Sequence, residues 1–331
     1  MASVGIIGNT TWGTTLGVIL SNHNLDVQIW CRSEDEAAQL NKHRENRRFL
    51  PQIFFPNKLK ATSSTKSLSK VDLVLFAVPS GSLRSNINSI KNVLKEKTIV
   101  MTASKGLELD SGKRMTEILE EELPVNLKGN ICALSGPNLA NEISAGKPSS
   151  AVIASENQEV AYKAQQFINT KLFRVYTTND VIGVELGGAL KNIISLGAGI
   201  CDGLNLGDNS KAAFMTRGLA EITRLGVAAG AKTSTFAGLA GMGDLIATCY
   251  SNLSRNHKVG VELSKGRDIN KIRSSMQNVI EGIDTTMAAT NMAKKLRVEM
   301  PITFLTYQVL FEGVSIDQAI SELMGRTPKS E

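Results

Sequence analysis

Over roughly the first half of the chain, short β-rich runs, most of them continuously apolar, alternate with stretches whose apolar positions recur every three or four residues. The runs fall at residues 4–7, 27–30, 73–78, 98–102, 131–134, 151–154 and 174–177. Most of them are continuously apolar rather than apolar at alternate positions, which predicts strands covered on both faces. Helical spacing separates them, for example at 83–93, 113–122 and 160–168. This alternation predicts a parallel, doubly wound sheet.

Past residue 178 the pattern changes. Six of the eight prolines lie at or before Pro148, and the next is Pro301. Long helical stretches follow, at 180–201, 211–229, 254–263, 284–295 and 316–324, with glycines at 226, 230, 238, 241 and 243 between them as caps and turns. The expected organisation is an α/β domain over 1–178 and an all-α domain over 179–331.

Composition narrows the class. The 331 residues are 42% hydrophobic and 21% charged, the balance of a globular protein. No stretch approaches eighteen uninterrupted apolar residues, so no membrane span is expected. The chain enters a strand at once, without a basic segment and an apolar signal, which makes the cytoplasm the default location. Cys31, Cys132, Cys201 and Cys249 form no CxxC pair, and neither a metal cluster nor a disulfide framework is expected. A net charge of +6 admits an acidic partner, but basic residues are dispersed and aromatics are only 5%. Small phosphorylated ligands fit this better than nucleic acid. The densest basic run, Lys42 to Arg48, reads as a solvated loop.

The opening stretch "VGIIGNTTWGTTLGVIL", residues 4–20, joins a strand to a helix through Gly8 and Gly13. Such a turn sets backbone N–H groups and the positive end of a helix before a pyrophosphate. The two glycines match the outer pair of G-x-G-x-x-G, but Thr10 stands at the middle position, where glycine normally admits the phosphates. At the second strand's end, "VQIWCRS" has Arg32 and no acid before Glu34. Arg32 suits a 2′-phosphate, so NADPH is the expected coenzyme with NADH as an alternative.

Three further stretches carry candidate chemistry. In "TASKGLE", residues 102–108, Lys105 follows a strand end, where ligands of such sheets sit. In "ELGGALKNIISLGAG", residues 185–199, helical spacing groups Gly187, Gly188, Ser195 and Ala198 with Lys191. Interior helix glycines are each unfavourable by about 1 kcal/mol relative to alanine. Either a tightly packed neighbour or a ligand lying against Lys191 would account for them. A buried ammonium there could protonate a carbonyl oxygen. In residues 238–260, Gly241 and Gly243 precede Asp244, and "LSRN" makes Ser254 a helix cap with Arg255 and Asn256 in the first turn, a natural phosphate seat.

Taken in order, "SKGLE", "LSGPNLANEI" (134–143), "ELGGALKNI", "GLAGMGDL", "LSRN" and "VIEG" (279–282) resemble the NAD(P)-dependent glycerol-3-phosphate dehydrogenases of bacterial type over nearly the whole chain. The resemblance implies a Rossmann-type domain followed by a helical domain, as in 6-phosphogluconate dehydrogenase, with the site between them. It implies Lys191 as the catalytic proton donor or acceptor. Lys105, Gly136, Asn138, Lys191, Asp244, Ser254, Arg255 and Asn256 match the family's substrate contacts. Gly8, Thr11, Trp12, Gly13, Arg32, Lys105, Ala140, Arg255, Val279 and Glu281 match its coenzyme positions. The implied substrates are dihydroxyacetone phosphate and sn-glycerol 3-phosphate, serving phospholipid synthesis without a metal; a homodimer is compatible with this.

Two positions depart from the family pattern, which reads G-x-G-A-W-G at the turn and often Ser or Thr at position 138. Thr10 is expected to weaken coenzyme binding without abolishing it, and glycine there to lower the coenzyme KM. The rival readings are another two-domain hydroxy-acid or phosphogluconate dehydrogenase and a non-catalytic phosphate or nucleotide sensor.

Overall fold

The computed structural model describes residues 2–276 and 279–328. Its strands are β1 Ser3–Ile7, β2 Asp26–Trp30, β3 Glu45–Asn46, β4 Leu50–Phe54, β5 Leu59–Thr62, β6 Leu73–Phe76, β7 Ile99–Thr102, β8 Ile131–Ser135, β9 Ser149–Ala154 and β10 Phe173–Thr178. Eight of them form one sheet in the order β10-β9-β8-β7-β6-β1-β2-β5, while β3 and β4 pair separately. The central runs are apolar throughout because helices cover both faces: every residue of β6, β7 and β8 is buried. The chain leaves β1 towards β2 and returns to β6 on β1's other side. A crevice therefore opens at the carboxyl ends of β1 and β6, where such sheets bind ligands.

The sheet is not wholly parallel. β9 runs antiparallel to β8, with Ala133 opposite Ala154, and β10 is parallel to β9. The connection between β8 and β9 holds only the five-residue helix Ala140–Ser144. That helix rises about 7.5 Å, too little to retrace the roughly 17 Å of a five-residue strand. The chain turns over at the sheet's end instead, which leaves Asn138 and Ala140 beside the crevice.

The basic run at 42–48 keeps Lys42, Arg44, Arg47 and Arg48 exposed, as expected of a solvated segment, but it is not a plain loop. Asn46 is buried, and its amide donates to the Asn9 carbonyl and the Thr14 hydroxyl, both at 2.8 Å. The β3–β4 hairpin is thereby tied to the turn between β1 and the first helix, Thr11–Asn22.

Beyond β10, Asp180 caps the 23-residue helix Val181–Gly203, accepting the Gly183 N–H at 3.0 Å. This is the one helix among the described residues that is long and apolar enough to cross a membrane. Most of it, 94% of the relevant window, is buried inside the protein. It is the axis on which the helical half packs. Its glycines let neighbours approach closely. A Cβ on Gly187 would lie 2.5 Å from the Ala240 carbonyl oxygen, one on Gly188 2.6 Å from Ser135 Oγ, and one on Gly199 2.0 Å from the His257 carbonyl oxygen. Of the two accounts of the glycine pair beside Lys191, tight protein packing is therefore the one observed.

Candidate active site

The crevice contains an open cavity of about 570 Å³ between the sheet's carboxyl edge and the central helix. Its Rossmann-side wall begins at the turn after β1. Gly8 has φ +114°, in the left-handed region that favours glycine, and a Cβ on Gly13 would lie 2.1 Å from the Gly8 carbonyl oxygen. Both glycines thus shape the turn rather than line the cavity. Thr11 and Trp12 do line it, and their amides, in the first helical turn, have no intrahelical acceptor. The Trp12 ring also meets Phe173 edge-on, with centroids 6.3 Å apart.

Thr10 is the helix cap. Its hydroxyl accepts the Gly13 N–H at 3.2 Å and donates to the Ala77 carbonyl at 2.8 Å. The side chain in the glycine position therefore braces the turn against the strand edge at β6.

At the other end of the cavity stands a buried carboxylate between two cations. Asp244, 1% exposed, follows the single turn Leu239–Gly243 and starts the helix Asp244–Tyr250. Its Oδ2 accepts from Lys105 Nζ at 2.7 Å, and its Oδ1 accepts from Lys191 Nζ. Lys105 also donates to the Gly136 carbonyl at 2.8 Å, and Lys191 to Thr248 Oγ1 at 2.6 Å. Gly136 reaches that position with φ +134°. An ammonium carries three hydrogens, so each lysine keeps one beyond its two bonds. Both lysines line the cavity. Burial pulls the Lys191 pKa down to about 8; the Lys105 charge adds to this and Asp244 opposes it. Such an ammonium can give up a proton near neutral pH.

The far wall comes from the helix Arg255–Ser264. Ser254 caps it, accepting the His257 N–H at 3.3 Å, and pairs with Ser195 at 3.0 Å. Arg255 donates to the Val279 carbonyl at 2.8 Å. Asn256 receives the Gly282 N–H at 3.0 Å and donates to Asn192 Oδ1 at 2.9 Å. A cationic side chain and unbonded first-turn amides thus face the cavity together, a set suited to a phosphate.

Residues 3–161 match the family described as NAD-dependent glycerol-3-phosphate dehydrogenase N-terminus, and residues 180–321 match its C-terminus. The chain belongs to this family. It is similar to glycerol-3-phosphate dehydrogenase [NAD(P)+] of Dehalococcoides mccartyi, with 50% identity over 98% of this chain and 91% of that one. The Halalkalibacterium halodurans enzyme of the same name is 44% identical over 100% of this chain and 96% of its own length. Among solved structures, glycerol-3-phosphate dehydrogenase from Coxiella burnetii superposes with a TM-score of 0.92 at 35% identity, covering 98% of this chain and 99% of that one.

Most of the residues the family pattern nominated meet in this one cavity: Thr11, Trp12, Lys105, Asn138, Ala140, Lys191, Ser254, Arg255, Asn256, Val279 and Glu281 line it. Gly136 and Asp244 stand behind the lysines and hold them. Arg32 lies outside the lining, exposed at the tip of β2. Phe49 and Thr248 line the cavity without having been singled out. Thr248, one helical turn after Asp244, could have been found by spacing. Phe49, with the Arg48 guanidinium 4.8 Å from its ring centre, arrives only through the hairpin that Asn46 tethers.

Proposed function

We propose that the chain interconverts dihydroxyacetone phosphate and sn-glycerol 3-phosphate, with NADPH as preferred and NADH as alternative coenzyme. The observation that carries this reading is the pair of lysines on Asp244, each with a hydrogen left over, in a cavity continuous with the phosphate-binding turn. The residues present fit a nicotinamide coenzyme. The Thr11 and Trp12 amides suit its pyrophosphate, and Asn138 Oδ1 is buried without a hydrogen-bond partner among the described residues, an acceptor suited to a ligand hydroxyl or amide. Exposed Arg32, with no acid beside it on the strand tip, favours a 2′-phosphate.

When bound, the coenzyme supplies the hydride. Lys191 would donate its proton to the substrate C2 oxygen as that carbon is reduced, and accept it back in the reverse direction. Asp244 and Thr248 fix the ammonium's direction. Lys105 adds positive charge beside the developing alkoxide. Arg255, with the helix start behind Ser254, would anchor the phosphate, so that binding energy remote from C2 positions the carbonyl.

Following NADPH oxidation at 340 nm with dihydroxyacetone phosphate tests the reading. Wild type should turn over, and Lys191→Ala should lose about 10²–10⁴-fold in kcat, the usual contribution of a positioned general acid. Absence of wild-type turnover, or an alanine variant at the normal rate, would refute it.

A further inference from the structure

A second bridge crosses the crevice at the cavity's rim, between Glu281 and Ser80, a residue that no motif drew attention to. Glu281 lines the cavity and begins the helix Glu281–Leu296 of the helical half. Its carboxylate reaches across to Ser80, just beyond β6: Oε1 accepts the Ser80 N–H at 3.1 Å, and Oε2 accepts the Ser80 hydroxyl. Pro79, immediately before Ser80, lines the same cavity. A third segment is shaped around this contact. A Cβ on Gly106 would lie 2.6 Å from Ser80 Oγ and 2.8 Å from Glu281 Oε2. The backbone at Gly106 is not in the left-handed region, since its φ is not positive. The space that glycine leaves, rather than its conformational freedom, is what the bridge uses.

The bridge thus joins three segments: the tip of β6, the loop that carries Lys105, and the helix that carries Glu281. Burial pushes the Glu281 carboxyl above its ordinary range, against the pull of the Ser80 donors and the Arg255 charge. A carboxylate offers about four lone-pair sites, and Ser80 occupies two of them. Acceptor capacity is left for a hydroxyl-bearing ligand at the rim.

We infer that Ser80 is a positioning residue for coenzyme binding: it clamps Glu281 across the crevice and presents its carboxylate to ribose hydroxyls of the bound coenzyme. Gly106 is the clearance that permits the clamp. This rests on the reading of the cavity as a nicotinamide-coenzyme site. Charge-assisted hydrogen bonds of this kind are the stronger ones, and losing one is felt in affinity.

The test is a fluorescence titration of NADPH into the full-length protein as wild type, Ser80→Ala, Glu281→Ala and the double variant. Ser80→Ala should raise the NADPH Kd about ten-fold, and Gly106→Ala should shift it the same way. The double variant should bind no more than about two-fold worse than Glu281→Ala, because Ser80 acts through Glu281. The KM for dihydroxyacetone phosphate should stay within about two-fold in Ser80→Ala, which general loosening of the fold would not predict. Wild-type affinity in Ser80→Ala, or a double variant whose loss is the product of the two single losses, would overturn the inference while leaving the coenzyme site intact. A wild type that binds neither NADPH nor NADH would overturn the coenzyme reading and this inference with it.

Discussion

Two buried carboxylates tie the halves of the molecule together, and they do so to different ends. Glu185, near the start of the central helix, accepts from Arg114 Nη1 at 2.7 Å, from the Thr116 N–H at 2.9 Å and from the Thr116 hydroxyl. Neither Arg114 nor Thr116 lines the cavity. Asp244 accepts from Lys105 and Lys191, which both do. The first cluster closes on itself, its acceptors met by protein donors away from any ligand. The second leaves a hydrogen on each ammonium, and both lysines line the cavity. Buried ion pairs of similar appearance therefore divide by what they leave over: a satisfied pair orients two domains, and an unsaturated one can do chemistry.

Removing the closed cluster gives the largest expected effect on stability. Glu185→Ala takes from Arg114 its buried carboxylate and leaves it the more exposed Glu117 at 3.4 Å, and breaking a buried pair from one side typically costs about 3–5 kcal/mol. Denaturant unfolding should show that loss, while kcat of the folded protein stays within about three-fold. A collapse of kcat comparable to that expected for Lys191→Ala, with stability unchanged, would erase the distinction between the clusters.

The open cluster should reveal itself through pH. With Lys191 held down to about 8, chiefly by burial, the protonated form prevails below that value and the neutral form above it. Reduction of dihydroxyacetone phosphate needs the acid, so kcat should be level below about pH 8 and fall roughly ten-fold per unit above it. Oxidation of glycerol 3-phosphate needs the base and should rise through the same value before levelling. Profiles of the two directions that do not mirror each other near pH 8 would remove Lys191 from the proton-transfer role.

What the sequence revealed follows the physics of each signal. Strands such as Leu73–Phe76 were visible because burial on both faces leaves an unbroken apolar run. Such a run carries no direction, so the reversal of β9 was not visible. β5, four residues with Lys60 exposed between buried Leu59 and Ala61, is too short and too polar at the sheet's edge to stand out. The β3–β4 hairpin is docked by the buried amide of Asn46 together with Leu50 and Ile53, which are too few and too irregularly spaced to make an apolar pattern. In the site, Lys105, Lys191 and Asp244 stood out because glycines flank them, and Gly106, Gly187, Gly188 and Gly241 mark close packing there, while Gly243 has room to spare. Ser80 gave no signal, since its partner lies 201 positions away.

Thr10 makes the finest test of the contrast between bracing and chemistry, since its glycine-position side chain belongs to the bracing. The expectation from the motif alone is that glycine here would lower the coenzyme KM by letting phosphates closer. The geometry argues the reverse. The Thr10 hydroxyl caps the first helix through Gly13 and struts the turn against Ala77. Glycine is itself a tolerable cap, worse by only a few tenths of a kcal/mol, but it offers nothing to the Ala77 carbonyl, whose lost hydrogen bond is worth about 1 kcal/mol. Thr10→Gly should therefore lower stability by about 1 kcal/mol and raise the NADPH KM about two- to four-fold, as the turn that presents the Thr11 and Trp12 amides loosens. Thr10→Ser, which keeps the hydroxyl and sheds the methyl, should stay at the wild-type value. If the glycine variant instead binds NADPH more tightly, the threonine methyl is an obstacle to the phosphates, and the strut matters less than the space it takes up.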